Sequence, residues 1–337
     1  MHMSDALLSL PVAGTFWALS AGTLALASRK LKGGPENGLA PRMGVLAAFV
    51  FAAQMINFSI PLTGSSGHFA GGVLLCLLLG PWGAFLALAS VLAVQALFFA
   101  DGGLLALGCN LFNMGFIPCF LAVPLVYRPL AGGLPSPRRR RAALVAACMV
   151  ACGVGALSVT LQTTASGVSA LPFWRFAALM VPVHLAIGVV EGLITVAVLE
   201  QVGIGMGASD FLQPGGAPPA PGRALGGVLA GMGTVALATA GLLSWFASPN
   251  PDGLEYSVRR LGASLDPPSL VQGIIHWQWA HAVFPDYAPR GLATGAARAG
   301  QDWPAVSPGT SAAGLAGAGI VFAIVLAFAW ILERRRR

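Results

Sequence analysis

Charge is what this sequence has least of. Only 9% of its 337 residues are charged, against about 25% in an average soluble domain. With 56% hydrophobic residues and a mean hydropathy of +0.77, that scarcity excludes a soluble globular domain and a disordered chain. Lysine is nearly missing: Lys30 and Lys32 are the only two. Neither follows a Gly-rich phosphate-binding turn, so any ATP hydrolysis must come from another chain. The five cysteines, Cys76, Cys109, Cys119, Cys148 and Cys152, lie in apolar stretches and form no C-x2-C pair. A zinc-ribbon site is therefore excluded. Cys148 and Cys152 share a helix face, where two thiols one turn apart cannot form an unstrained disulfide. All five read as small packing residues. No basic run precedes the first apolar stretch, so a cleaved signal peptide is not expected. His2 is too large to allow removal of the initiator Met.

What is present is a series of apolar stretches. Nine are read as helical spans, at roughly 6–28, 42–57, 69–80, 82–100, 104–126, 142–165, 174–200, 224–247 and 313–332, each near the length a bilayer requires. The fold class expected is an all-α polytopic membrane protein. The net charge of +7 and pI near 9.7 come from arginines that flank spans, so they set orientation rather than bind nucleic acid. Arg29, Lys30, Lys32 and Arg42, then Arg128 and Arg138–Arg141, then Arg334–Arg337 should all face the cytoplasm. Nine spans put every one of these on the same side. The N-terminus, the loop 58–68, the turn at Asp101 and the long loop 248–312 then fall outside. A Pro/Gly-rich linker, 206–223, cannot continue a helix. It divides a seven-span unit, 1–205, from a two-span unit, 224–337, as in a fusion of two proteins.

Five histidines carry the chemistry. His2 and His68 are expected at the same outer surface. A terminal amine, the amide nitrogen of residue 2 and the His2 imidazole can chelate one metal, and His68 would complete four nitrogens. Such a donor set suits nickel or copper(II), with cobalt possible, and disfavours calcium and magnesium. His184 and Glu191 lie two turns apart on one face of an apolar span. They form either an interhelical polar network or a relay coupled to ion movement. His276 and His281 sit among Trp277 and Trp279 in the long loop, an interfacial aromatic patch or a transient metal contact.

The residues also carry a family resemblance. Met1-His2-Met3-Ser4-Asp5, then Gln54–Phe58 leading to Gly64-Ser65-Ser66-Gly67-His68, and His184–Thr195 resemble the substrate-binding component of nickel/cobalt energy-coupling factor transporters, the CbiM/NikM family. Ser248–Glu255 contains the Pro-Asp-Gly-Leu-Glu motif of its CbiN/NikN-like accessory component. The resemblance implies that Met1, His2 and His68 hold the cation, with Asn57, Ser65 and Ser66 shaping the site behind them. It implies Ni2+ or Co2+ as transported substrate, nickel favoured, with no organic cofactor. It further implies a transmembrane coupling protein (CbiQ/NikQ-like) and ABC ATPases (CbiO/NikO-like) as partners in the cytoplasmic (inner) membrane. Many relatives carry Ile-Pro-Asp-Gly where this chain has Met3-Ser4-Asp5-Ala6, so the local backbone is expected to differ while the ligand atoms remain.

A rival from another class starts at Gly64-Ser65-Ser66-Gly67, a G-x-S-G match. Together with His184 it resembles a rhomboid intramembrane serine protease, with Ser66 as nucleophile and His184 as base. The His-to-Gly spacing departs from that family's pattern. An enzyme is therefore not the expectation.

Overall fold

The computed structural model describes residues 2–32, 39–132, 136–201, 223–263, 265, 267–290 and 303–334. The linker 206–222 lies outside the described residues. The chain is a helical bundle. Its elements are α1 (Leu10–Lys32), α2 (Leu39–Gln54), a hairpin of β1 (Asn57–Ile60) and β2 (Ser65–His68), α3 (Gly72–Phe99) and α4 (Leu107–Ala131). There follow α5 (Pro137–Ser166), α6 (Phe173–Gln201), α7 (Arg223–Gly241), α8 (Gly253–Arg260), α9 (Ser269–His281) and α10 (Pro308–Arg334). Among the described residues six helices are long and apolar enough to cross a membrane, and Leu39–Gln54 and Gly226–Gly241 are shorter apolar helices. The chain is a multi-pass membrane protein.

The stretches expected as separate spans at 69–80 and 82–100 form one element that doubles back. Gly80 has φ 72° and ψ 167° and precedes Pro81, a pair that ends one helix and starts another. Ala70 and Gln95 both bond to Gln54 at the end of α2, whereas Gly83 lies beside Met43 near its start. The arm 72–79 therefore runs away from Gln54 and the arm 81–99 returns to it. At about 1.5 Å per residue the first arm is far too short to cross alone. The chain reaches it instead through the extended hairpin and residues 69–71. Irregular backbone at that depth must be satisfied by protein. Gln54 Nε2 donates to Ala70 O at 2.9 Å, and Glu191 accepts Gly71 N–H at 3.1 Å and Ala70 N–H at 3.3 Å. Glu191 thus ties α6 to the start of α3.

Within α4, Phe112–Tyr127 winds as a π-helix around Pro118 and Pro124, which lack the N–H for an α-helical ladder. The accessory helices α7 and α10 pack against α2 through small residues. A Cβ at Gly317 would fall 2.2 Å from Phe51, and one at Gly314 2.8 Å from Met55. Ala48 and Ala52 are buried inside the bundle, while Ala18 and Gly22 of α1 face outward.

Candidate metal centre

The N-terminal segment enters the bundle rather than trailing from it. Met3 is fully buried and held at its backbone by one side chain: Asn110 Oδ1 accepts Met3 N–H at 2.8 Å and Asn110 Nδ2 donates to Met3 O at 3.3 Å. Gly103 N–H also donates to Met3 O, at 2.8 Å. Two residues on, Asp5 is buried and accepts Ala106 N–H at 2.9 Å, at the start of α4. Ser4 caps the short 3-10 turn Asp5–Leu7. The exchange of Ile-Pro-Asp-Gly for Met3-Ser4-Asp5-Ala6 therefore leaves the segment pinned at both ends. His2 is thereby fixed at the wall of the site.

His68 arrives from the other side, at the end of β2. Asn57 pairs with it across the hairpin, and Ser66 pairs with Ser59. The His2 and His68 rings stack with centroids 4.9 Å apart and planes 14° from parallel. Burial pulls both imidazoles down to about 3, so both are neutral at physiological pH and available as ligands. His2 Nδ1 lies 3.3 Å from Asp101 Oδ1. With a neutral ring this contact is not an ion pair. Asp101 Oδ2 accepts the Tyr287 hydroxyl at 2.5 Å. The buried His2 Nε2 has no hydrogen-bond partner.

The accessory segment forms the third wall. Ser248–Asp252 crosses the hairpin and touches both strands: Ser66 N–H of β2 donates to Pro251 O at 2.7 Å and Ser248 N–H donates to Asn57 O of β1 at 2.7 Å. Ser66 Oγ donates to Asn250 O at 2.8 Å. Asp252 then caps α8, accepting Glu255 N–H at 2.8 Å. Burial pushes its carboxyl up, but the N-terminal ammonium, then that N–H and the nearby imidazoles, bring it below the usual carboxylate range. Gly253 lies against His184, and a Cβ there would meet His184 Cε1 at 2.9 Å. From α9, Gln278 Nε2 donates to Gly102 O at 2.7 Å and Ala96 O at 2.9 Å, clamping the turn that carries Asp101.

The expected site residues divide accordingly. Met1 lies outside the described residues. His2 and His68 meet, and Asn57 and Ser66 lie behind them on the hairpin. Ser65 is buried beside Thr63, with hydroxyl oxygens 2.7 Å apart. His184 lines the same small cavity as His68 and Asp252. His276 and His281 are not among those lining residues; His281 stacks on the exposed Trp277 in α9. Among the described residues no three His, Cys, Asp or Glu side chains converge closely enough to hold a metal ion. Sequence reasoning missed three positioning groups: Asp5, Asp101 and Asp252. In the sequence Asp101 marks only a turn, and Asp252 only part of a motif.

Comparison with known proteins decides the family. Residues 2–203 match the family model for the cobalt uptake substrate-specific transmembrane region, CbiM, and residues 226–334 match the PDGLE domain. The chain belongs to the CbiM family. It is similar to a putative fused nickel transport protein NikMN of Archaeoglobus fulgidus, 34% identical over 301 residues, covering 87% of this chain and 90% of that one. It is also similar to a cobalt transport protein CbiM of Geobacter sulfurreducens, 34% identical over 206 residues, covering 58% and 57%. A crystal structure of a truncated transition metal transporter matches with a TM-score of 0.51 and 32% identity, covering 60% of this chain and 98% of that one. CbiM relatives are transport components, and this chain is one rather than an enzyme. The protease alternative also fails on geometry. The Ser66 hydroxyl donates to main-chain carbonyls of Asn250 and Pro251 and not to His184.

Proposed function

We propose that the chain is the substrate-capturing component of an ATP-driven energy-coupling factor transporter for nickel or cobalt, with nickel favoured. Residues 1–205 form the capture unit and 224–337 the accessory unit, joined by a cytoplasmic linker. The N-terminus lies outside the cytoplasmic membrane and the C-terminus inside. A coupling protein and a pair of ABC ATPases supply the energy. The terminal amine of Met1, the amide nitrogen and imidazole of His2, and the His68 imidazole hold the cation.

The observation that carries this is the stacked, neutral, buried pair of His2 and His68. An imidazole can close a chelate ring with its own backbone nitrogen only through Nδ1. Capture therefore re-aims His2 from Asp101 toward the cation, and opens the stack so that both rings reach one point. A nitrogen-rich set favours late divalent metals over calcium and magnesium.

The test is nickel and cobalt binding to the purified full chain with its native N-terminus, beside the same chain with two residues added before Met1. Tight binding that the extension abolishes is the expected result. Tight binding that survives it moves the ligands elsewhere and overturns the assignment.

A further inference from the structure

The small cavity that His68 and His184 line extends from the capture pair on the side of α6. It is enclosed by Gly67, His68, Met114, Cys152, His184 and Asp252 among others, with a volume of about 10 Å³, room for one water or one bare ion. His184 stands in it with a fixed tautomer. Its Nδ1 is 2.7 Å from Met180 O; a carbonyl only accepts, so Nδ1 carries the proton and Nε2 the lone pair. A backbone carbonyl fixing one ring nitrogen is the usual support behind a ligating histidine. His184 is 1% exposed and its Nε2 has no hydrogen-bond partner. Leaving an acceptor unmet inside a membrane bundle is costly without a compensating role. Asp252 brings the anionic group, and it comes from the accessory unit. The backbone at Gly253 is pressed so closely on His184 that no other residue fits there without displacement.

We propose that His68, His184 and Asp252 form a second, weaker station for the transported divalent cation, completed only when the accessory segment delivers its carboxylate. His68 borders both positions and would pass the ion from the N-terminal ligands to the deeper pair. Two imidazoles and one carboxylate suit the same late divalent metals. With the accessory segment docked as here, these groups line one cavity without converging on a single point. A site through which an ion must travel needs affinity enough to admit it and little enough to release it. The placement of this station beside the capture site rests on the capture reading above, while its own evidence, the unmet His184 nitrogen and the accessory carboxylate, does not.

The experiment is Co2+ binding to the full chain by equilibrium dialysis with metal analysis, extended to weak occupancy. The proteins are wild type, the chain extended before Met1, Asp252→Asn and His184→Gln. Asn caps a helix as well as Asp, so Asp252→Asn removes the charge and keeps α8. His184→Gln tests the same station from a different element. The wild type is expected to bind one tight equivalent, lost on extension, and one weaker equivalent, lost in both substitutions. If the extension removes nothing while both substitutions remove one equivalent, the second station stands and the capture reading fails. If both substitutions bind as much cobalt as wild type, the cavity holds only water and the proposal is overturned.

Discussion

Two walls of the site are held by different kinds of bond. The N-terminal wall is fixed by side chains acting on backbone: Asn110 on Met3, and Asp5 on Ala106. The accessory segment over the hairpin is fixed mainly by backbone acting on backbone, Pro251 and Ser248 pairing with Ser66 and Asn57, with side-chain bonds from Ser66, Gln278 and Tyr287 beside them. A wall of the first kind is written in a few irreplaceable residues. A wall of the second kind tolerates substitution nearly everywhere except where the main chain itself touches a neighbour, as at Gly253. The first wall carries chemistry, so its atoms must be placed closely. The second covers and completes the site, and needs only to arrive in register.

The largest expected effect separates the walls by their protons. If the ligands come from the N-terminal wall, each cation displaces one proton from the ammonium and one from the amide. Burial holds His2 and His68 at about 3, so neither imidazole binds a proton above roughly pH 4. Acidification then works through the amine and amide alone, and affinity falls as pH falls. The logarithm of the nickel affinity should change by about two per pH unit between roughly pH 5 and 7. A slope near four would mean that the imidazoles titrate in their ordinary range and that the site is wet.

Next in size is Asn110→Ala. It removes both bonds to Met3 and leaves a buried N–H without its acceptor, a loss of about 1–3 kcal/mol. Nickel affinity measured by titration should fall by roughly ten- to a hundredfold. An unchanged affinity would mean that Gly103 and Asp5 suffice to place the N-terminal segment.

Much of the bundle is legible in composition alone, because a span declares itself through length and apolarity. The site is less so. His2 and His68 stand out because few other residues in this chain can bind metal. The hairpin 57–68 hides because its bonds are main-chain bonds and its residues alternate weakly. The stretch 69–80 imitates a span, since Leu74–Leu79 are apolar, and only Gly80-Pro81 betrays the reversal. Glu191 reads as a relay candidate when seen beside His184. In place it receives the N–H groups of Ala70 and Gly71, where the chain turns from strand to helix. The accessory docking rests mainly on main-chain contacts, and its clearest mark in the sequence is Gly253, pressed on His184.

That glycine gives the third prediction. Gly253→Ala places a methyl within 2.9 Å of both His184 and Val183. Overpacking of this kind destabilises by about 1–3 kcal/mol. A loop can relieve the clash by undocking, so the accessory segment should loosen while the bundle holds. Hydrogen exchange at Ser66 and Ser248, whose N–H groups pair across that seam, should accelerate roughly five- to a hundredfold if docking weakens by that amount. Unchanged protection at both amides would show that α6 yields instead.

The smallest effect belongs to Ser66→Ala. Its hydroxyl makes side-chain bonds to Asn250 and Pro251 carbonyls, worth about 1 kcal/mol together with their desolvation. The backbone bond from Ser66 N–H to Pro251 O is untouched by the substitution, so the accessory segment keeps its main anchor. Nickel affinity should therefore stay within about threefold of wild type, and docking should weaken only slightly by the same exchange measurement. A backbone-held wall predicts this indifference. A large loss of binding in Ser66→Ala would mean that the accessory wall, like the N-terminal one, depends on individual side chains, and the distinction between the two would collapse.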